Sequence, residues 1–274
     1  MRSKLYGNAS ATWRAYSSVA RPAAIEIRRW GDRLLTFGGA CLYLSGLVRS
    51  APPSLLFPEA AAPGAIMLVA LSAMLLAHAI LVVGFRSAWL RLVLVAGWTS
   101  VALWNLAGLL RSGPETTALV TCAEGAVLAL VHGRLAIAQS GRASRGCDLV
   151  LAVVAAVMLA IFGAVHLSNP ALVSSLIPVW MPAKTLWPMW TGSFQIAAAI
   201  GLLHDRTRFL AGIATAAMFA SWLPLVHLPR LLVRSNAFEW EFALMALCLV
   251  GAMLVAATAG ISTKEKREGG SRGV

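Results

Sequence analysis

The sequence predicts an all-α membrane protein with eight transmembrane helices in two tandem four-helix units. Of its 274 residues, 59% are hydrophobic and only 12% are charged, whereas soluble domains carry about 25% charged residues. If each apolar run crosses the membrane once, the connecting loops and tails alternate between its two sides, and 18 of the 23 lysine and arginine residues lie on one of them. Because positive residues beside helix ends stay in the cytoplasm, we expect a protein of the cell (inner or plasma) membrane with both termini cytoplasmic.

Each span follows from the length of its apolar run. A helix needs about 20 mostly apolar residues to cross the hydrocarbon core, and helices satisfy their own backbone there. The first run is the shortest and contains the adjacent glycines Gly38 and Gly39. The eight predicted spans cover 32–48, 63–84, 89–110, 116–137, 148–167, 186–204, 206–226 and 238–260.

The order of loops suggests an internal duplication. In each half a helix is followed by a Pro-rich outer loop, a helix, a short Arg-containing turn, a helix, a short outer link and a helix. We therefore divide the chain into a basic cytoplasmic N-terminal tail (1–31), a diverged first unit (32–137), a second unit (148–262) and a cytoplasmic tail (263–274). Since both units start in the cytoplasm, the repeats are expected to be parallel.

The charge and the N-terminus exclude two classes of protein. The net charge of +12 lies in short loops and tails without a basic stripe interleaved with aromatics, so we expect no nucleic-acid partner. The same charges attract anionic lipid headgroups. A long basic stretch precedes the first apolar run, and no small-residue cleavage site follows a short apolar region, so a signal peptide is not predicted.

No catalytic or metal motif stands in a credible context. Cys41, Cys122, Cys147 and Cys248 form no CxxC pair, which predicts neither a disulfide framework nor a zinc site. Phosphate-binding loops and HExxH are absent from the sequence. One GxSxG string lies in the polar tail at 269–273, without the strand–turn–helix context that a nucleophile elbow needs.

Polar side chains inside the spans form the first candidate site. Glu124, Asn105 and Gln195 lie at similar depth in three different spans, and His78 lies deeper. Ionisable groups are expensive within a membrane and often mark function. Two interpretations stand: a polar pocket between helices in the outer half, or hydrogen bonds that only join helices.

A second cluster lies at outer helix ends of the second unit. His166 and His227 end two spans, and Glu239 and Glu241 open the last one, with Arg230 between. If the four helices form one bundle, a His–carboxylate pair there can relay protons or hold a quinone carbonyl, because histidine titrates near neutral pH. The alternative is an interfacial salt-bridge set that fixes the rim. No HxxxH or ExxH spacing supports a metal site.

Residues 148–262 resemble the DoxX family of small membrane proteins. The matching stretches are FGAVHLSNPALVSSLIPVWMP (162–182), WTGSFQIAAAIGLL (190–203), RTR (206–208), LVHLPRLL (225–232) and EWEFAL (239–244). The resemblance implies a four-helix unit. It also implies a link to membrane redox systems, since some members look like subunits of thiosulfate:quinone oxidoreductases and others associate with redox-defence proteins. Where many members carry an acid in the second helix of the unit, this chain has Gln195.

We therefore expect a DoxX-like multi-pass membrane protein that serves as an accessory or scaffold subunit of a membrane redox system. Its partners would be membrane lipids and a redox protein, and its bound molecule a quinone or another lipid. The alternatives are a quinone-linked oxidoreductase subunit and a small-solute transporter. The expected ligand-binding residues are Glu124, His166, Gln195, His227 and Glu241.

Overall fold

The computed structural model describes residues 22–42, 65–82, 87–113, 115–142, 144–234 and 236–259, and these ranges are helical throughout most of their length without a strand. The helices are α1 (22–42), α2 (Ala65–Val82), α3 (Ala88–Ser112), α4 (Thr116–Gln139), α5 (Arg145–Ser168), α6 (Pro170–Leu176), α7 (Trp187–Leu203), α8 (Arg208–Trp222), α9 (Leu228–Val233) and α10 (Ala237–Ala257). The prediction of an all-α fold is confirmed for this part of the chain.

Five helical stretches are long and apolar enough to cross a membrane. They are Ala88–Ser112, Thr116–Gln139, Arg145–Ser168, Arg208–Val233 and Phe238–Ala257. Two further helices, α2 and α7, are apolar but only 18 and 17 residues long, or roughly 26 Å at 1.5 Å per residue. Among the described residues, five of the eight predicted spans are therefore helices of sufficient length and apolar composition. The other three spans stay predictions.

Most predicted helix ends lie within a few residues of the observed ones, but the first helix differs. It already includes residues 22–31, which we assigned to the N-terminal tail. Glu26 and Arg29 pair one turn apart in this extension, a spacing that supports a helix. Residues 43–48 of the first predicted span, the Pro-rich stretch 51–63 and the tail 263–274 lie outside the described residues.

Local signals explain where several helices begin and end. The side chains of Ser144 and Asn236 accept hydrogen bonds from the backbone N–H groups of Cys147 and Glu239, which caps the starts of α5 and α10. Gly113 ends α3 at a φ of +87°, a conformation that costs glycine nothing but strains other residues.

The long helices pack in an antiparallel series that closes on itself. Neighbours in sequence contact each other from α2 to α5, then α5 packs on α7, α7 on α8 and α8 on α10. α10 also packs on α4 and α5, and α1 closes the ring because its Gly31 lies against Gly251 and Leu254 of α10. One end of this bundle carries Arg91, Arg134 and Arg208, and we call it the arginine end. The opposite end carries the tryptophans of 180–190, and we call it the tryptophan end.

The last long stretch before α10 contains a π-helical turn, Leu223–His227, between α8 and α9. Pro224 has no N–H to donate and its ring crowds the preceding turn, which favours such a departure from α geometry. The backbone N–H of Leu228 bonds to the carbonyl of Leu223, five residues back. We predicted that the helix ends at Val226 and is followed by a loop. The chain instead stays helical to Val233.

Candidate ligand-binding site

A cavity of about 310 Å³ lies at the tryptophan end, between α4, α5, α6, α7, α8, the π turn, α9 and α10. Its walls are mostly aliphatic and aromatic, with a few polar groups. Pockets for small molecules typically measure about 300–1,000 Å³ and share this mixture of an apolar wall and a few polar groups. The cavity is therefore large enough for a small organic group.

The polar groups on the α4 side of the cavity are Glu124 and Thr121, one turn apart, with Thr117 a further turn towards the tryptophan end. Glu124 is buried, and within the described residues it forms no ion pair. The Thr121 hydroxyl is fully enclosed and has no hydrogen-bond partner there. Both groups are thus free to bond a molecule in the cavity.

An aromatic wall made by α5 and α8 faces these groups. The His166 ring stacks on Trp222 at 5.9 Å between centroids. Phe219 meets both Trp222 and Phe162 edge-to-face, at 5.5 and 6.2 Å, an arrangement that aromatic rings prefer. The Nδ1 atom of His166 bonds to the Phe162 carbonyl at 2.8 Å. This bond fixes the ring and leaves Nε2 available to a ligand.

His227 reaches the cavity from the π turn. Its Nδ1 atom is buried without a hydrogen-bond partner in the described part of the chain. Leu225 and Val226 of the same turn also line the cavity. Three consecutive residues face one space because the π turn is wider than an α turn, and such turns are frequent at functional sites.

Arg230 closes the tryptophan end of the cavity. Its Nε and Nη2 atoms donate to the two carboxylate oxygens of Glu239, each at 2.6 Å, and its Nη1 donates to the Leu176 carbonyl at 2.8 Å. This fork joins α9 to α10 and α6. A bidentate guanidinium–carboxylate pair is the strongest kind of hydrogen-bonded ion pair, so Arg230 is engaged in structure rather than free for an anionic ligand.

The structure brings three of the five predicted site residues together. Glu124, His166 and His227 line the same cavity although they lie on α4, α5 and the π turn. Gln195 and Glu241 are buried but are not among the residues that line it. The amide of Gln195 has no hydrogen-bond partner within the described residues.

The rim differs from its prediction in one respect. We expected a His–carboxylate pair at the rim, either at hydrogen-bond distance or across one water, and within the described ranges no direct hydrogen bond joins His166 or His227 to a carboxylate. The carboxylate of Glu239 is taken by Arg230 instead, because a guanidinium matches both of its oxygens at once. The alternative that we kept open, a salt bridge that fixes the rim, describes this pair.

A second polar group, which the sequence did not predict as a unit, is buried near the arginine end. Arg91 donates to both oxygens of Asp32 at 2.7 and 2.8 Å, which ties α3 to α1. Arg134 pairs with Asp148 and ties α4 to α5. His78 and His132, which are fully buried, lie edge-to-face with ring centroids 5.4 Å apart. One feature of the sequence could have indicated this cluster: each predicted unit begins with an acidic residue, Asp32 in the first and Asp148 in the second.

Outside the spans, Asp205 organises the turn between α7 and α8. It pairs with Arg145 at 2.7 Å and Arg208 at 2.8 Å. Partial desolvation acts to raise the pKa of Asp205, but the charges and hydrogen bonds of Arg208 and Arg145 together hold that pKa below its ordinary value. Arg145 opens α5, so this carboxylate connects the ends of three helices.

The cavity can bind a flat, mostly apolar group that carries hydrogen-bonding oxygens. Aromatic side chains, the Glu124 and Thr121 side chains and two histidines all line the cavity and are available to such a group. Within the described residues no group of three or more histidine, cysteine or acidic side chains is placed to hold a metal ion. The geometry therefore supports binding, and it names no nucleophile for catalysis.

The comparisons with known proteins add a family but no activity. Residues 155–259 match the model of a family described as a domain of unknown function (DUF8561). This match covers most of α5, all of α6 to α9 and α10, but leaves out α4 and with it Glu124. No curated protein and no solved structure matches the chain. The second half of the molecule is thus similar to one domain family whose function is open.

Proposed function

We propose that this chain is a multi-pass membrane protein that binds a quinone-like headgroup as an accessory subunit of a membrane redox system. The observation that carries the proposal is the apolar, aromatic cavity with Glu124 and Thr121 on one side and His166 and His227 on the other. A para-quinone has an acceptor oxygen at each of two opposite edges and a flat apolar ring between them. The Nδ1 group of His227 and carboxylic or hydroxyl O–H groups are suitable donors for such oxygens. His166 donates its Nδ1–H to the Phe162 carbonyl, so its Nε2 atom is an acceptor for a hydroxyl of the reduced quinol.

The membrane topology belongs to the same proposal. We propose eight spans, both termini in the cytoplasm and two parallel DoxX-like units, 32–137 and 148–262. The ring of helices supports this arrangement. A two-fold axis along the membrane normal would map the α4–α5 contact onto the α10–α1 contact, and the packing of α10 on α4 is consistent with such an axis.

The redox role requires a partner. In this proposal a separate redox protein delivers or accepts the electrons. The basic N- and C-terminal tails of the sequence supply charge for such a partner and for anionic lipids. An oxidoreductase subunit with its own quinone site is the stronger form of this proposal and needs the same cavity.

Binding of a quinone tests the proposal. The protein in lipid nanodiscs is titrated with a short-tailed benzoquinone, and the fluorescence of its tryptophans is followed, since Trp187 and Trp222 line the cavity. Glu124→Gln and His227→Phe should each weaken binding about tenfold, which corresponds to about 1.4 kcal/mol. Glu115→Gln, at the exposed start of the same helix, should leave binding unchanged. Absence of saturable quenching in the wild type contradicts the proposal.

One observation favours a second candidate, a transporter or binder of lipophilic cations. Glu124 has no basic partner in the described part of the chain and faces aromatic rings, which attract cations through their faces. Tetraphenylphosphonium is the probe for this class. If it binds, and Glu124→Gln abolishes its binding while the quinone shows none, the cation candidate replaces the first.

A further inference from the structure

The cavity is open at apolar residues that belong to three helical elements. Among its lining residues, Leu172 of α6, Leu225 of the π turn and Phe238 of α10 are themselves exposed, by 53%, 39% and 40%. The polar groups Glu124 and Thr121 are buried. The entrance is thus apolar, and the hydrogen-bonding groups lie behind it.

The height of this opening places it beside lipid. Leu225 comes 17 residues after Arg208, the first residue of a stretch long enough to span, or roughly 26 Å along the helix. The hydrocarbon core is about 30 Å thick. In a bilayer that matches this stretch, Leu225 faces the acyl chains near the tryptophan end.

One polar contact bridges the two sides of the opening. α6 and the helix that contains the π turn are joined by the hydrogen bond from Arg230 Nη1 to the Leu176 carbonyl. Leu172 lies one turn before Leu176 on α6, and Leu225 lies more than one turn before Arg230 on the other helix. Leu172 and Leu225 line the cavity from these two helices, and we call the space between them the apolar gap.

We propose that the bound molecule is a lipid with a long apolar tail, and that the tail leaves the cavity between Leu172 and Leu225 into the leaflet at the tryptophan end. This rests on the proposed function for its headgroup and adds the chemical class of the whole ligand. A water-soluble ligand would gain nothing from an apolar lateral entrance. An isoprenoid or acyl tail can stay among the acyl chains while its headgroup enters the cavity, and it gains van der Waals contacts with the leucines, as packed side chains do within a membrane.

Three compounds that share one benzoquinone headgroup test whether the tail contributes to binding. The first has no tail, the second a ten-carbon tail and the third a longer isoprenoid tail. Affinities are measured in nanodiscs and corrected for each compound's partition into protein-free nanodiscs. We expect the tailed compounds to bind at least tenfold more tightly than the tail-less one. Leu225→Trp, which narrows the gap, should weaken the tailed compounds at least tenfold more than it weakens the tail-less one.

Further tryptophan variants distinguish the effect of narrowing the gap from the general effect of introducing a tryptophan. Leu210→Trp changes an exposed leucine of the same helix that does not line the cavity, and it should leave every affinity unchanged. Leu172→Trp narrows the gap from the other helix and replaces Leu225→Trp if the latter lowers thermal stability. Equal corrected affinities across the tail series, or equal loss for all compounds in both tryptophan variants, overturn the proposed route.

Native mass spectrometry of lipids retained by the protein distinguishes this inference from the proposed function. If no quinone binds but the wild type and Leu210→Trp retain a tailed lipid that Leu225→Trp and Leu172→Trp lose, the headgroup assignment fails and the lateral route stands. If a tail-less quinone binds as tightly as the others, the headgroup assignment stands and the route fails. If the wild type binds no quinone and retains no such lipid, both fail.

Discussion

At the scale of single residues, burial and hydrogen bonding separate the polar side chains that face the cavity from those that do not. Gln195 illustrates the difference. The sequence placed it at the depth of Glu124, yet its amide is enclosed among helices with no partner in the described residues. An unpartnered buried amide loses its bonds to water and gains none in return.

Replacement of Gln195 by leucine should therefore stabilise the protein. We expect a gain of about 1–2 kcal/mol in the free energy of unfolding, the desolvation penalty of such a group, measured by equilibrium unfolding in mixed micelles. The matched control is Thr215→Val on α8, because the Thr215 hydroxyl already donates to the Ala211 carbonyl and its removal should change little. A loss of stability in Gln195→Leu means that the amide is needed for packing.

The Arg91–Asp32 pair should behave in the opposite way. Arg91→Met leaves the Asp32 carboxylate, which is almost fully buried, without its guanidinium, and such a loss costs about 3–5 kcal/mol. The double variant Arg91→Met with Asp32→Leu should recover most of that loss, since neither charge remains. A double variant as unstable as the single one would show that the pair itself is not the cause.

At the scale of helices, small residues decide how closely the backbones approach. Gly163 of α5 and Gly192 of α7 face each other: a Cβ at Gly163 would lie 2.8 Å from the Gly192 carbonyl oxygen, and one at Gly192 would lie 3.0 Å from the Gly163 carbonyl oxygen. Membrane helices often associate through such small residues. This crossing holds α5, which carries His166, in its place beside the cavity.

Alanine at this crossing should separate the two helices. Gly163→Ala is expected to lower the free energy of unfolding by at least about 2 kcal/mol, because a Cβ placed against a backbone oxygen forces the helices apart and overpacking costs about 1–3 kcal/mol. Gly108→Ala on α3 is the control, since a Cβ there meets nothing within 4 Å. It should be neutral or slightly stabilising, and equal effects of both variants would contradict the close approach.

The turn between α7 and α8 should show a pH dependence through Asp205. Its pKa in the folded protein lies below the ordinary value of 3.8, so its stabilising effect is present above about pH 4 and is lost as the pH falls further. Asp205→Asn should therefore lower the thermal midpoint slightly at pH 6, and wild type and variant should converge as the pH falls below 3.8. A difference that persists unchanged at low pH would point to another cause.

At the scale of the whole molecule, topology is the main prediction. A reporter after Val274 and a single introduced cysteine at Val179, which is 92% exposed, should report opposite sides of the membrane. A cysteine-reactive reagent that cannot cross the bilayer checks the second position in a variant lacking the four native cysteines. If both positions report the same side, the proposed number of spans is wrong.

The sequence predicted the helices better than their contacts. Helix length follows from the thickness of a membrane and from apolar runs, so most of the ends from α2 to α10 lie close to those predicted. The direction in which a side chain faces depends on how helices pack, so Glu124, His166 and His227 could be named but not placed in one cavity. The role of Arg230 and the position of Gln195 follow only from the packed helices.

The π turn has a consequence for how this chain is compared with its relatives. A π turn is, in effect, one extra residue inserted into an α-helix, and each α-helical residue advances the direction of the side chain by about 100°. Deletion of one residue within Leu223–His227 would rotate all that follows by that angle. Arg230 would then no longer face Glu239, so an alignment gap of one position here marks a relative whose cavity is built differently.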